Sequence, residues 1–261
     1  MNPLILLTND DGFFSEGIEA LECHLKDLGQ IFIVAPDRER SAASLSLTLH
    51  HPLRVKAMRE NVYAVDGTPA DCVYLAIQKF LPRKPDLLIS GINSGPNLGQ
   101  QDISYSGTVA GAIQGTFLQI PSIAISLSHN EHGKFLFDFS ARVARLVAKN
   151  LLHNKAPAGI TLNINIPPPP VKGLKIVKLG QKRYNPKIIV KKDPRQRTYY
   201  WIGTGHPKPV GDKDSDVMVA KKGYITVTPL QTDLSDFHTI NNPTLQKIFS
   251  AVNNEIIQKT L

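Results

Sequence analysis

The chain has 261 residues, 42% hydrophobic and 20% charged, which suits a soluble globular protein of one large or two small domains and excludes a disordered or fibrous polypeptide. Two cysteines are too few for a disulfide framework, so a reducing, cytoplasmic home is expected. No run approaches the ~20 apolar residues that cross a bilayer, and membrane partners are not expected.

In chain order, "LILLT" at 4–8 predicts a buried strand. It runs straight into Asp10 and Asp11 with no basic stretch before it, so a strand is expected here and not an export signal. Ile18, Leu21, Leu25 and Leu28 then recur at helical spacing, and "IFIVAP" at 31–36 returns as a strand, which makes a βαβ unit. A polar loop with Arg38, Glu39, Arg40 and a Ser-rich tract follows, then strands near 53–56 and 62–65. "DGTPADCVYLAIQKFL" predicts a helix with Thr68 as cap, Pro69 at its first position and Asp71 in its positive first turn. Cys23 and Cys72 both fall in predicted helices that face a core. "PDLLISG", "SGTVAGAIQGTFL", "PSIAISLS", residues 134–152 and "ITLNINIP" at 160–167 continue as strand, helix, strand, helix and strand. That alternation predicts an α/β fold, a mostly parallel sheet with helices on both faces, over a core of residues 1–167.

From Pro167 the texture changes. "PPPP" and the runs "KIIVKK" and "TYYWIG" predict extended hairpins over 168–222. This region carries most of the charge excess: between Lys172 and Lys222 stand 14 Lys or Arg against Asp193, Asp212, Asp214 and Asp216, in a chain of net +8. Three readings fit such a field: a solvated oligomer-forming arm, attraction of small anionic substrates, or nucleic-acid binding. No nucleic-acid signature supports the third, and no nucleic-acid partner is expected. "GYITVTPL" at 223–230 predicts a return to the core sheet, and Asn242 with Pro243 opens a last helix, so 223–261 forms the closing segment.

Ligands of open α/β sheets bind beyond the carboxyl ends of the strands. Asp10 and Asp11 stand there, and Gly12 permits a sharp turn that aims both at one point. Two adjacent carboxylates repel unless a divalent cation lies between them, and hard cations prefer such oxygen ligands. The plainer alternative is one Asp capping a helix and one solvated. Two other strand ends offer Ser41, in "DRERSAAS", and Asn93 with Asn97, in "INSGPNLG", whose oxygens can converge on the same point. Ser106, Gly107 and Thr108 open a helix whose positive end and free N–H groups suit a phosphate, or serve as an ordinary cap. Spacing excludes other chemistries: the Asp pair is adjacent and not D-x-D, and there is no P-loop, G-x-G-x-x-G fingerprint or G-x-S-x-G elbow. His129 and His132 read as surface-loop residues.

Taken together and in order, "LLTNDDG", "VAPDRERSAASLSLTL", "GTPADCVYLA", "PDLLISGINSGPNLG", "YSGTVAGAIQG" and "GYITVTPL" resemble the SurE family of survival-protein nucleotidases, densely over 4–128 and again near 223–236. The resemblance implies a Rossmann-like enzyme that hydrolyses nucleoside 5′- or 3′-monophosphates with one divalent metal, magnesium or manganese. It implies metal ligation by Asp10, Asp11, Ser41 and Asn93, with Asp10 and Asp11 catalytic. Asn97, Ser106, Gly107 and Thr108 would hold the phosphate with Asn9 nearby, and the C-terminal arms would form a homodimer or homotetramer. Family members generally carry Gly where this chain has Ala42 and a polar residue at Leu45. The loop after the strand at 223–230 offers Asp233 and His238 for help to the leaving group. A non-catalytic nucleotide or polyphosphate sensor and an exopolyphosphatase-type activity are the competing expectations.

Overall fold

In the computed structural model, which describes residues 2–203, 205 and 207–260, contacts divide the chain into two compact units, 1–230 and 231–261. The first begins with strand β1 (Leu4–Thr8), helix α1 (Glu16–Leu25), β2 (Gln30–Pro36), β3 (Val55–Arg59) and β4 (Val62–Val65). Helix α2 (Pro69–Leu75) continues as wider turns over Ala76–Phe80. Its start is a full capping box: Thr68 accepts the Asp71 amide and Asp71 accepts the Thr68 amide at 2.9 Å. Then come β5 (Leu87–Ser94), α3 (Gly99–Tyr105), α4 (Gly107–Phe117), β6 (Ser122–Leu127), α5 (Phe137–His153) and β7 (Thr161–Ile166).

The unit closes with short strands β8 (Leu174–Ile176) and β9 (Gln181–Arg183), the hairpin β10 (Ile188–Lys192) and β11 (Thr198–Ile202), β12 (Lys208–Val210), helix α6 (Asp216–Lys221) and β13 (Ile225–Leu230). Nine strands form one sheet in the order β3-β4-β2-β1-β5-β6-β7-β13-β8. The pairs from β4 through β7 are parallel, and β13 returns antiparallel beside β7. The fold is therefore the expected mixed α/β sheet with helices on both faces and C-terminal hairpins.

Alternation along β1 explains the two-sided core. Ile5 and Leu7 join Ile18, Leu21 and Leu25 of α1 and Ala141, Ala144 and Ala148 of α5 on one face. Leu4 and Leu6 join Cys72 and Val73 of α2 and Val109 and Ala112 of α4 on the other. All four β1 side chains are at most 1% exposed, so each contributes about 1.5–3 kcal/mol of burial. Face α4 toward the sheet and three glycines, Gly107, Gly111 and Gly115, recur every four residues. A Cβ on Gly111 would lie 2.8 Å from Ser90 Oγ, and one on Gly115 2.5 Å from Ser122 Oγ. The small residues of this helix thus serve close packing on β5 and β6.

Some details differ from expectation. Leu28 lies beyond the end of α1, in a turn where its amide donates to Leu25 O at 2.9 Å, and still packs on the core. Cys23 is exposed, since it falls between the buried positions Leu21 and Leu25 on the outer face of α1. The strand near 53–56 starts at Val55, and the helix over 134–152 starts at Phe137.

The second unit, described by itself, holds α7 (Pro243–Thr260), which starts where Asn242 and Pro243 predict. Asn242 Oδ1 accepts the Thr244 amide at 2.9 Å.

Candidate functional site

The parity that sends Leu4 and Leu6 toward α4 continues past β1 and sends Asp10 the same way. Asp10 is 4% exposed and lies against the start of α4: the Thr108 hydroxyl donates to Asp10 Oδ1, and a Cβ on Gly107 would lie 2.8 Å from Asp10 Cβ and 2.9 Å from Oδ2. Burial pushes its carboxyl up to about 6; the Thr108 hydrogen bond works against this and the Asp11 charge with it. Asp11 turns the other way, half-buried, and its Oδ2 accepts the Ser94 amide at 3.3 Å. Burial raises its carboxyl too; the Ser94 amide opposes the shift and the charge of Glu39 adds to it.

The turn that splays the two carboxylates is built by Asn9 and Gly12. Asn9 Nδ2 donates to Gly12 O at 2.8 Å and Ser15 Oγ at 2.7 Å, and its Oδ1 accepts the Gly12 amide at 3.2 Å. Gly12 sits at φ +103°, where a side chain is strained. Asn9 is fully buried, and its carboxamide shapes the turn.

Ser41 arrives from the end of β2. The Arg40 amide donates to Asp10 O at 2.7 Å, which fixes the start of its loop against the Asp pair. Farther along, Ser44 donates through its amide to Tyr105 O at 3.2 Å and through its hydroxyl to Ser104 O at 2.8 Å, tying the loop to the end of α3. Asp71 then holds Thr48 by its amide at 2.9 Å and its hydroxyl at 2.7 Å. Ser41 is exposed and its hydroxyl donates to Glu39 Oε1 at 2.6 Å. Ala42, where the family resemblance leads one to expect Gly, adopts φ +59°.

Asn93 comes from β5 at the place where the β5–β6 register shifts, between Ser90 and Asn93, an irregularity that re-aims the side chain. Its Nδ2 is spent on Gly95 O at 2.8 Å. Asn97 is held from below: its amide donates to Asn165 Oδ1 at 2.8 Å, its Nδ2 to Ser126 Oγ at 2.7 Å, and its carbonyl accepts Asn163 and Asn165 Nδ2, each at 2.9 Å.

Ser106 ends α3 and caps α4, its Oγ accepting the Val109 amide at 3.1 Å. The head of α4 therefore already serves a carboxylate, Asp10, through Thr108. What it retains for a further anion is the Ser106 hydroxyl hydrogen and the Gly107 amide of its unfilled first turn. Asp233 and His238 belong to the second unit, where both are exposed and Asp233 accepts the Ser235 amide at 2.9 Å.

Three loops following β1, β2 and β5, three neighbouring strands, are thus tied to one another at the carboxyl edge of the sheet. The pairing of Glu39 with Ser41, two positions on, is visible only once the loop is folded. Likewise Asp102 accepts the Lys182 ammonium and the Tyr184 hydroxyl, which joins β9 to the helix that leads into Ser106. Among the described residues no three His, Cys, Asp or Glu side chains converge as a metal cluster, so a cation here would be shared between the Asp pair and neutral oxygens.

Comparison with known proteins supplies the context. The family model described as Survival protein SurE matches residues 5–186. A protein of Pelobacter propionicus named 5'-nucleotidase SurE is 44% identical over 236 residues, 89% of this chain and 95% of its own length. A protein of the same name from Haemophilus influenzae is 43% identical over 239 residues, 90% of this chain and 94% of its own. The crystal structure of SurE protein from Aquifex aeolicus superposes with a TM-score of 0.81 at 40% identity, covering 94% of this chain and all of that one. On the family match and the extent of these likenesses, the chain belongs to the SurE family.

Proposed function

We propose that this chain is a nucleotidase that hydrolyses the phosphomonoester of nucleoside monophosphates, with one divalent cation, magnesium or manganese, held by Asp10, Asp11, Asn93 and Ser41. The reading draws on the shared name of the relatives, 5'-nucleotidase SurE, and on one observation above all: Asp10 and Asp11 are tied directly to the loops that carry Ser41 and Asn93. The donor set suits a hard cation. Two carboxylates are raised by burial and make no ion pair among the described residues, the Asn93 amide nitrogen is occupied by Gly95 so that Oδ1 remains for a ligand, and the Ser41 hydrogen points to Glu39 so that its lone pairs remain.

When bound, the cation would polarise a phosphoryl oxygen and let both carboxylates stay ionised. Ser106 and the Gly107 amide donate to the equatorial phosphoryl oxygens as charge develops. Asp10, enclosed and held by Thr108, keeps a fixed position. Asp11, half-buried and open on one side, orients the attacking water and takes its proton. The P–O ester bond breaks as the water oxygen adds, and the alcohol leaves with a proton. Asn97 sets the floor of the loop and Asn9 the splay of the carboxylates. The proton for the leaving alcohol comes from solvent water.

The test is phosphate release from AMP and GMP with manganese, with chelator, and in Asp11→Ala. Release that needs metal and is lost in the variant is expected; equal release by Asp11→Ala and wild type refutes the assignment. Nucleotide binding without turnover in manganese would favour the sensor.

The same reading extends to assembly as a homodimer or homotetramer through the C-terminal arms. The β10–β11 hairpin exposes Ile188, Val190, Tyr200 and Ile202 at 57–76%, an apolar surface of the kind that protein interfaces cover. No helix among the described residues is long and apolar enough to cross a membrane.

A further inference from the structure

On the α1 and α5 side of Asp11 lies a recess of about 500 Å³ lined by Glu16, Ser94, Lys134, Phe135 and Phe137. It shares a wall with the Asp pair, because the backbone of Ser94 donates to Asp11 Oδ2 at 3.3 Å. Its far wall is already ordered. Asn130 Oδ1 accepts the His132 amide at 3.0 Å and the Lys134 amide at 2.9 Å, and the Asn130 amide donates to Lys134 O at 2.9 Å, closing the loop after β6 into a tight turn. Phe135 stands between His129 and Phe137 with ring centroids 6.0 Å from each. A wall packed in this way loses little freedom when a flat ligand arrives.

We propose that this recess is the subsite for the nucleobase and that it takes a purine, guanine before adenine; the inference rests on the nucleotidase reading above. The volume falls within the range of small-molecule pockets. Phe135 offers an aromatic surface for stacking. Lys134 is a donor without acceptor capacity and matches the adjacent O6 and N7 acceptors of guanine, whereas adenine places an amino donor at the same edge. Glu16 accepts from the ring N–H and amino groups that guanine carries on its other edge.

The experiment compares GMP, AMP and ribose 5-phosphate, which has no base, in wild type, Phe135→Ala and Lys134→Met with manganese. Phe135→Ala should raise KM for GMP roughly ten- to hundredfold, with kcat held within about threefold and ribose 5-phosphate unaffected. Lys134→Met should narrow the preference of GMP over AMP. If the two variants shift GMP and ribose 5-phosphate alike, or shift neither, the subsite is elsewhere. A wild type that releases phosphate from no nucleotide ends the nucleotidase reading instead. Calorimetry with guanosine then decides the recess on its own: a Kd weakened by Phe135→Ala supports it, and an unchanged Kd overturns it.

Discussion

Gly107→Ala tests whether the position of Asp10 matters for the chemistry. The new Cβ would lie 2.8 Å from Asp10 Cβ, 2.9 Å from Oδ2 and 3.1 Å from Cγ. Carbon atoms rest near 3.5 Å or beyond, so the head of α4 and the carboxyl must part by about 0.7 Å. Asp10 has little room to yield, being enclosed and held by Thr108. Overpacking costs about 1–3 kcal/mol, and replacing Gly in a helix returns about 0.5–1 kcal/mol, so Tm should fall by only a few degrees. Activity should suffer more, because a misplacement of about 1 Å can cost on the order of 100-fold; a drop of roughly 10- to 100-fold in kcat/KM for GMP is expected. Gly115→Ala is the control. Its Cβ would meet Ser122 Oγ at 2.5 Å and Leu88 Cδ1 at 2.8 Å, a comparable clash two turns away from Asp10. A Gly107→Ala enzyme within about threefold of wild type, or a Gly115→Ala enzyme equally impaired, refutes the reasoning.

Asp10→Asn keeps the shape of the side chain and removes a buried charge; in chelator it should melt no lower than wild type, and manganese should no longer raise its Tm, whereas wild type at ~100 Kd of metal gains about 2.7 kcal/mol. Asp102→Asn strands Lys182 in a site where both side chains are nearly enclosed, and should cost about 3–5 kcal/mol by denaturant unfolding. Adding Lys182→Met should recover a large part of that loss; strictly additive losses would mean the pair is not coupled. Ala42→Gly relieves a left-handed residue and should leave stability unchanged or raise it by up to about 1 kcal/mol. Ile202→Asp, on the most exposed apolar position of the β10–β11 hairpin, should give a smaller species by light scattering; an unchanged mass would place any interface elsewhere.

The repeating part of the fold was legible because its signals are local. "LILLT", "IFIVA" and "SIAISL" carry apolar residues on both faces, with only Thr8, Ser122 and Ser126 polar, since both faces of the central strands are covered, and Thr68-Pro69-x-Asp71 is a capping box within four residues. The short α3 and α6 were not predicted. Each has fewer than eight residues, and each begins at a junction made by distant chain: Gly99 and Gly180 both donate their amides to the buried Asp216, at 2.8 and 2.6 Å. At the site, the order of motifs along the chain was enough to nominate the Asp pair, Ser41 and Asn93. How the other polar groups are spent was not readable. Asn9 and Asn97 look from sequence like groups for a ligand, yet one braces a turn and the other is gripped by β6 and β7. Only the paired strands reveal that Asn163 and Asn165 stand opposite. For Gly107 the folded chain adds a reason for the missing side chain that the sequence does not show: a Cβ there would run into Asp10.

The grip on Asn97 carries a consequence for timescale. Loops at the mouth of a site usually trade their amide protons with solvent quickly, because water reaches them during small local openings. Here the Asn97 amide ends on a side chain rooted in β7, the carbonyl takes two more hydrogen bonds from the same strand, and the residue is 7% exposed. Its proton should exchange at the pace of the sheet interior, making this rim a fixed wall of the site.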